Sequence, residues 1–240
     1  MCGRFVSSSP PDEIAKYFDV AEVAETYLEP SYNVAPSQEV YAVFERDAVR
    51  QLQPFRWGLI PFWAKERSVG YKMINARAET LADKNAYKRA FRSRRCIIPA
   101  NGFYEWKRIP GRRAKQPFYI HRPDDEPYAF AGLWEVWRGA GEGEGGEVDD
   151  VGPVSSCTIV TCAANDALEA VHDRMPVILP RRAWDEWLSE EVDDVSRLGK
   201  LLVPAPSDLT VLYPVSTAVN NPRSAGARLI DRLQDGQVED

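Results

Sequence analysis

Histidine and cysteine are scarce in this 240-residue chain, which has two His and four Cys. His121 and His172 stand far apart, with no thiol pair at ligand spacing near either. A zinc site is therefore not expected, nor any metal centre or cofactor. Thiols scattered at positions 2, 96, 157 and 162 do not form a disulfide framework, and a reducing cytoplasm is the expected compartment. No apolar run approaches the length that spans a bilayer, and no basic region followed by an apolar stretch opens the chain. The expectation is a soluble, unexported monomer with no membrane partner. Also missing are a Gly-rich phosphate loop, a Ser-nucleophile elbow and an internal repeat.

Aromatic side chains, in contrast, are abundant: 9 Phe, 7 Trp and 10 Tyr. That much aromatic surface needs burying and excludes disorder as the main state. The net charge of −6 hides a polarised distribution. Twelve of the Lys and Arg fall between Lys84 and Arg122, where Glu105 is the only acid. Such a segment is expected to face a polyanion, the alternative being a solvated strip.

The turn and periodicity signals predict short elements. A helix is expected over about 10–19, with Ser9 as N-cap and Pro10 in the first turn. Others are expected from about Tyr87 to Arg94, from Asn165 or Asp166 to near His172, and after Pro180. Strand-like runs cover Val40–Phe44, Cys96–Ile98, Phe103–Trp106, Pro117–Ile120, Tyr128–Phe130, Cys157–Thr161 and Val177–Leu179. Strands outnumber helices without regular alternation, which predicts an α+β fold with a mainly antiparallel sheet core and short flanking helices. One domain is expected over 1–230, with a flexible, acidic, Gly-rich loop near 139–152 and a loose tail over 231–240.

The chemistry begins at the N-terminus. Loss of Met1 would leave Cys2 with a free α-amine and a thiol on adjacent carbons. This 1,2-aminothiol can condense with an aldehyde to an imine and close to a thiazolidine. A Cys thiolate with a nearby base could instead serve acyl transfer. In Cys2-Gly3-Arg4-Phe5, Gly3 permits close backbone approach, and Arg4 is either a phosphate or carboxylate ligand or a plain surface cation. Tyr32-Asn33-Val34-Ala35-Pro36 reads as a loop. Trp57-Gly58-Leu59-Ile60-Pro61-Phe62-Trp63 is turn-prone and aromatic, so one or two rings are expected to be exposed for base stacking. Extended, Ile74–Glu79 would present Asn75, Arg77 and Glu79 on one face, suited to a sugar and its phosphate or simply solvated. Glu105, bracketed by aromatics, is either a desolvated proton-transfer carboxylate or an ion-pair partner. His172 sits before a proline at a helix end, where it can titrate near neutrality, whereas His121 reads as a surface-loop residue. Cys157 and Cys162 read as buried.

In order along the chain, Met-Cys-Gly-Arg-Phe, Tyr-Asn-Val-Ala-Pro (32–36), Trp-Gly-Leu-Ile-Pro (57–61) and Ile-Asn-Ala-Arg-Ala-Glu-Thr (74–80) are followed by Gly-Phe-Tyr-Glu-Trp (102–106), Ile-Val-Thr (159–161), His-Asp-Arg-Met-Pro (172–176) and Pro-Val-Ser (214–216). This ordered set resembles the SOS response-associated peptidase (SRAP) family. The resemblance implies an enzyme that crosslinks itself to abasic sites in single-stranded DNA, shielding the lesion during the damage response. It implies Cys2 as the crosslinking residue, forming a thiazolidine with the ring-opened deoxyribose. Asn75 would position the sugar, Glu105 would shuttle protons, and His172 would assist sugar opening and reversal. Arg4 and Arg77 would hold flanking phosphates, Phe62 and Trp63 would wedge against bases, and Asn33, Thr161 and Arg174 would share that DNA-binding surface. A Cys-dependent peptidase that removes its own Met1, and a non-covalent single-strand binder, are the competing readings.

Overall fold

The computed structural model describes residues 2–139 and 152–234, so the expected acidic loop, apart from its two end residues, lies outside the described residues, as does most of the expected tail. Apolar-rich runs between turns form thirteen strands in the described residues, several of them buried almost throughout their length. They are β1 (Phe5–Ser7), β2 (Glu22–Val23), β3 (Ser31–Val34), β4 (Glu39–Arg46), β5 (Val49–Trp57), β6 (Asn75–Arg77) and β7 (Arg95–Ala100). They continue with β8 (Gly102–Lys107), β9 (Gln116–His121), β10 (Tyr128–Trp137), β11 (Val154–Ala163), β12 (Arg174–Pro176) and β13 (Val211–Pro214). One sheet has the order β13-β9-β8-β1-β3; the other runs β12-β11-β10-β7-β4-β5-β2, with β6 added beside β11. Antiparallel pairing dominates, as the sequence led one to expect, and parallel pairs join β2 to β5, β5 to β11 and β6 to β11. The α-helices are short: α1 (Pro11–Tyr17), α2 (Lys88–Ser93), α3 (Asp166–Glu169), α4 (Trp184–Leu188) and α5 (Val195–Gly199). The chain is an α+β protein.

The two-residue period of a strand decides where the core sits. Phe5, Phe103 and Ile120 point from the five-stranded sheet toward the other sheet, where the Phe5 ring lies 5.0 Å from Trp57 and 6.3 Å from Phe130. Their neighbours Val6, Tyr104 and Tyr119 point the other way, into a second apolar cluster completed by Val215, Val219 and Leu229. The C-terminal segment thus covers the outer face of this sheet. Because β1 lies between β3 and β8, the residues just before it enter the molecule instead of fraying, and Cys2 is fully buried.

Gly58 carries the chain out of β5. Its φ is +121°, and a β-carbon there would stand 2.6 Å from the Gly70 carbonyl oxygen. Only glycine fits this approach. The turn lets Leu59 N–H donate to Met73 O at 3.1 Å, which brings the aromatic segment alongside the approach to β6.

Several local expectations need correction. The cap of α1 is Pro10, not Ser9, whose hydroxyl instead accepts from Asn101 Nδ2 at 2.9 Å. Val177–Leu179 is not a regular strand: β12 ends at Pro176, and Ile178 makes only an isolated bridge to Phe130. The extended segment at 75 stops at Arg77 and becomes a 3-10 turn over Ala78–Thr80, which removes Glu79 from the face shared by Asn75 and Arg77. His121 is not in a loop; it ends β9, half-buried, with its ring stacked on Tyr119 and Nδ1 2.9 Å from Asp125 Oδ1. The basic segment is not a single polyanion-facing surface either. Arg95 is buried and donates to the carbonyls of Phe91, Arg92, Trp187, Ser189 and Val192, tying α2 to α4 and the turn beyond it. Arg94 pairs with Glu135 and Arg122 with Asp124.

Candidate active site

Three strands from the two sheets bring distant motifs to the buried N-terminus. Asn75, at the start of β6, donates from Nδ2 to the Cys2 carbonyl at 2.7 Å. Tyr87 OH donates to the Asn75 carbonyl at 3.4 Å, fixing the strand from its other side. Asn75 Oδ1 is buried and has no hydrogen-bond partner among the described residues. The Cys2 thiol is 3.9 Å from the Arg4 carbonyl. Burial, and secondly the Glu105 carboxylate, push this thiol well above its ordinary range.

Glu105 lies on β8, on the face it shares with Phe103, and is 2% exposed. Burial raises its carboxyl to about 7, although the chain's amino-terminal charge and Lys115 pull the other way. His172 Nε2 lies 3.9 Å from Glu105 Oε2. Partial burial lowers the imidazole from its usual value, helped by the amino-terminal charge, while Asp173 opposes the shift. Nδ1 of His172 accepts from Arg174 N–H at 3.0 Å, which orients the ring and leaves Nε2 toward Glu105. A carboxyl raised to about 7 and an imidazole lowered from its usual value, beside a buried aminothiol position, can pass protons in either direction.

Around this centre, β6 pairs with β11 so that Arg77 stands opposite Thr161. Arg77 is exposed. Arg174, on β12, makes a two-pronged pair with Glu79 and also donates to the Thr161 carbonyl at 2.6 Å. Phe62 and Trp63 are 46% and 54% exposed, as a stacking role requires, and the Arg89 guanidinium lies 4.5 Å from the Phe62 ring centre. Asn33 and Thr161, in contrast, are buried, so neither fits direct contact with DNA. Thr161 Oγ1 bonds the Ala76 carbonyl. Asn33 accepts from Arg4 at 2.7 Å and donates to the carbonyls of Asn221 and Ser224, both at 3.0 Å. Arg4 in turn donates to the Val219 carbonyl, so its guanidinium clasps the C-terminal segment to the N-terminus.

Sequence reasoning overlooked Tyr71, which is 60% exposed with Arg56 5.5 Å from its ring centre. It also overlooked Trp106 Nε1 donating to Asn220 Oδ1 at 2.7 Å, a bond that anchors the C-terminal segment. Trp106 closes the Gly-Phe-Tyr-Glu-Trp motif, which gave it no role of its own, and the lysine beside Tyr71 in Gly-Tyr-Lys was the only hint there.

The buried Cys2 thiol, the Asn75 amide and the Glu105–His172 pair thus lie together in a two-sheet α+β fold. A profile of the SOS response associated peptidase (SRAP) family matches residues 1–222, and the chain belongs to this family. The abasic site processing protein YoqW of Bacillus subtilis (strain 168) is 43% identical over 232 residues, covering 96% of this chain and 99% of that protein. The abasic site processing protein YedK of Escherichia coli (strain K12) is 33% identical over 240 residues, covering 96% and 99%. A crystal structure from Bacteroides thetaiotaomicron has the same fold, with a TM-score of 0.83 at 23% identity, covering 97% of this chain and 100% of that one.

Proposed function

We propose that this protein recognises abasic sites in single-stranded DNA and captures them covalently through Cys2 once Met1 has been removed. The observation that carries this reading is the placement of Cys2, held by Asn75 and electrostatically coupled to Glu105, which is itself 3.9 Å from His172. The names of the relatives YoqW and YedK support the lesion.

In the proposed chemistry, the neutral α-amine of Cys2 attacks the aldehyde of the ring-opened deoxyribose. The carbinolamine loses water, whose oxygen comes from the aldehyde, and leaves an imine. The thiol then adds across the C=N bond: a C–S bond forms, and the thiol proton ends on the ring nitrogen. No oxidant or reductant is consumed. Glu105 in its acid form protonates the departing hydroxyl, and its carboxylate can take the thiol proton. His172 exchanges protons with Glu105 and assists sugar opening and reversal. Asn75 holds the Cys2 backbone through Nδ2, leaving Oδ1 to accept from a sugar hydroxyl. Arg77 faces a flanking phosphate. Arg4, held by Asn33 and the Val219 carbonyl, and Arg174, held by Glu79 and the Thr161 carbonyl, border the same surface. The proposed setting is the cytoplasm, with nucleoid association during DNA damage for a prokaryotic source, and the protein acts as a monomer.

The acyl-transfer reading fits less well. It needs a thiolate near neutral pH, in a partly exposed, electropositive setting. The Cys2 thiol is buried and pushed in the opposite direction. Aldehyde capture starts from the amine and has no such requirement.

Intact-mass spectrometry with an abasic single-stranded oligonucleotide tests the reading. A Met1-free protein should gain one oligonucleotide less one water, without added reductant. No mass shift from a verified Met1-free protein would refute capture. Trp63→Ala should weaken non-covalent binding by about 1–3 kcal/mol if the ring stacks on a base. Fluorescence anisotropy at low salt measures this, and an unchanged affinity would exclude Trp63 from the interface.

A further inference from the structure

The turn between β8 and β9 carries Arg108, Arg112, Arg113 and Lys115 within eight residues, with no acid among them. None of the four side chains lies within ion-pair distance of a carboxylate among the described residues. Arg94, Arg122 and Arg174, by contrast, are each neutralised by one. Arg112, Arg113 and Lys115 line a concavity of about 510 Å³, whose opposite wall includes Thr217. The base of the turn is firmly built. Lys107 faces Gln116 in register, and the buried Gln116 side chain donates to the Pro117 and Val215 carbonyls at 2.9 and 2.8 Å. Val215 N–H donates back to Pro117 O at 3.1 Å. Glu105 lies two residues along β8 from Lys107, roughly 7 Å at the rise of a strand. The base of the turn therefore adjoins the candidate active site, and Lys115 is near enough to influence both Glu105 and His172.

Unneutralised cations held in a concave, anchored turn raise the local concentration of an anionic chain. The sequence offers no lesion-reading chemistry there: the cations are separated by Ile109, Pro110, Gly111 and Ala114, which present neither a ring for stacking nor a polar group for base edges. We propose that the β8–β9 turn, through Arg112, Arg113 and the concavity they line with Lys115, is a second phosphate-binding surface that grips the single strand a few nucleotides from the captured site, independently of base sequence and of the lesion. This rests on the reading of the protein as a single-stranded DNA binder. It adds a site on an edge of the molecule to which no motif had assigned a role.

The test compares wild-type protein with the double variant Arg112→Gln/Arg113→Gln, leaving Lys115 intact because it acts on Glu105. Non-covalent affinity for an undamaged single-stranded oligonucleotide is measured across a salt series, and capture is measured separately on abasic oligonucleotides with long and short flanks. Loss of two phosphate contacts should lower the slope of log affinity against log salt by roughly 1.4. Capture of the long-flanked oligonucleotide should then slow at limiting protein, whereas the amplitude at saturation and capture of the shortest oligonucleotide should match wild type. An unchanged slope and affinity would overturn the proposal. Wild-type protein that binds undamaged strands but captures no abasic oligonucleotide would refute the covalent function, and the slope comparison would still decide the turn. If wild-type protein bound no single strand at all, both would fall.

Discussion

Cys2→Ala is expected to eliminate the heat-stable adduct with abasic single-stranded DNA, to be read by denaturing gel and intact mass. Retention of Met1 does the same, because the α-amine is then on the wrong residue and no five-membered ring can close. Cys2→Ser leaves at most an imine, detectable after borohydride trapping, since a hydroxyl is a poorer ring-closing nucleophile. Each variant should still bind the single strand, because the phosphate and stacking groups are untouched. Full yield of heat-stable adduct from Cys2→Ala would locate the crosslink elsewhere. The buried thiol sharpens this prediction. At neutral pH it is protonated, so ring closure depends on imine formation first and on a nearby group to manage the thiol proton.

Glu105→Gln is expected to slow adduct formation by about 10²–10⁴-fold, the range for loss of a positioned proton-transfer group. Its pH dependence separates this role from simple packing. The α-amine must be neutral, so the rate rises with pH through roughly 7.7–8.0. Glu105 must be protonated to assist the loss of water, so the rate falls as pH rises past about 7. The wild-type profile is therefore a narrow bell, and Glu105→Gln loses the alkaline limb while keeping the acidic one. A variant profile that kept both limbs at wild-type rates would exclude Glu105 from the chemistry. Stability has its own sign. The folded carboxyl lies above the ordinary carboxylate range, so the native state holds an extra proton between that range and about 7. The corresponding stability is present at acid pH and lost as pH rises through about 7. Above neutrality, Glu105→Gln should raise the melting temperature relative to wild type.

Much of the candidate site was legible in the sequence. Cys2, Asn75, Glu105 and His172 are short-range motif residues, and alternation within Gly102–Trp106 already put Glu105 on the face of Phe103 and away from Tyr104. Elements with continuous apolar runs, such as β4, β10 and β11, were visible in part as well. The three-residue β1 and four-residue β3 were not, because their stability comes from pairing with β8 and with each other. α5 was overlooked although Asp194 caps it by accepting from Ser196 N–H and Arg197 N–H, a signal present in the sequence.

Charge was the least reliable guide. A run of twelve cations looks uniform along the chain, yet Arg95 ends up buried among five carbonyls while Arg113 faces solvent. Asn33 and Thr161 were read as DNA-surface groups from motif membership; burial makes them supports for Arg4 and for the strand that carries Arg77. Side-chain chemistry is a property of the residue and can be read locally: an aminothiol, a carboxyl between aromatics, an imidazole ahead of a proline. Burial and ion pairing are properties of what lies opposite, brought there from up to 215 residues away, as between Arg4 and Val219. The candidate reactive groups could therefore be named from their own identity, whereas Glu105 reaching about 7, Arg4 acting as a clasp and the β8–β9 cations having no ion-pair partner among the described residues required the two sheets to be assembled.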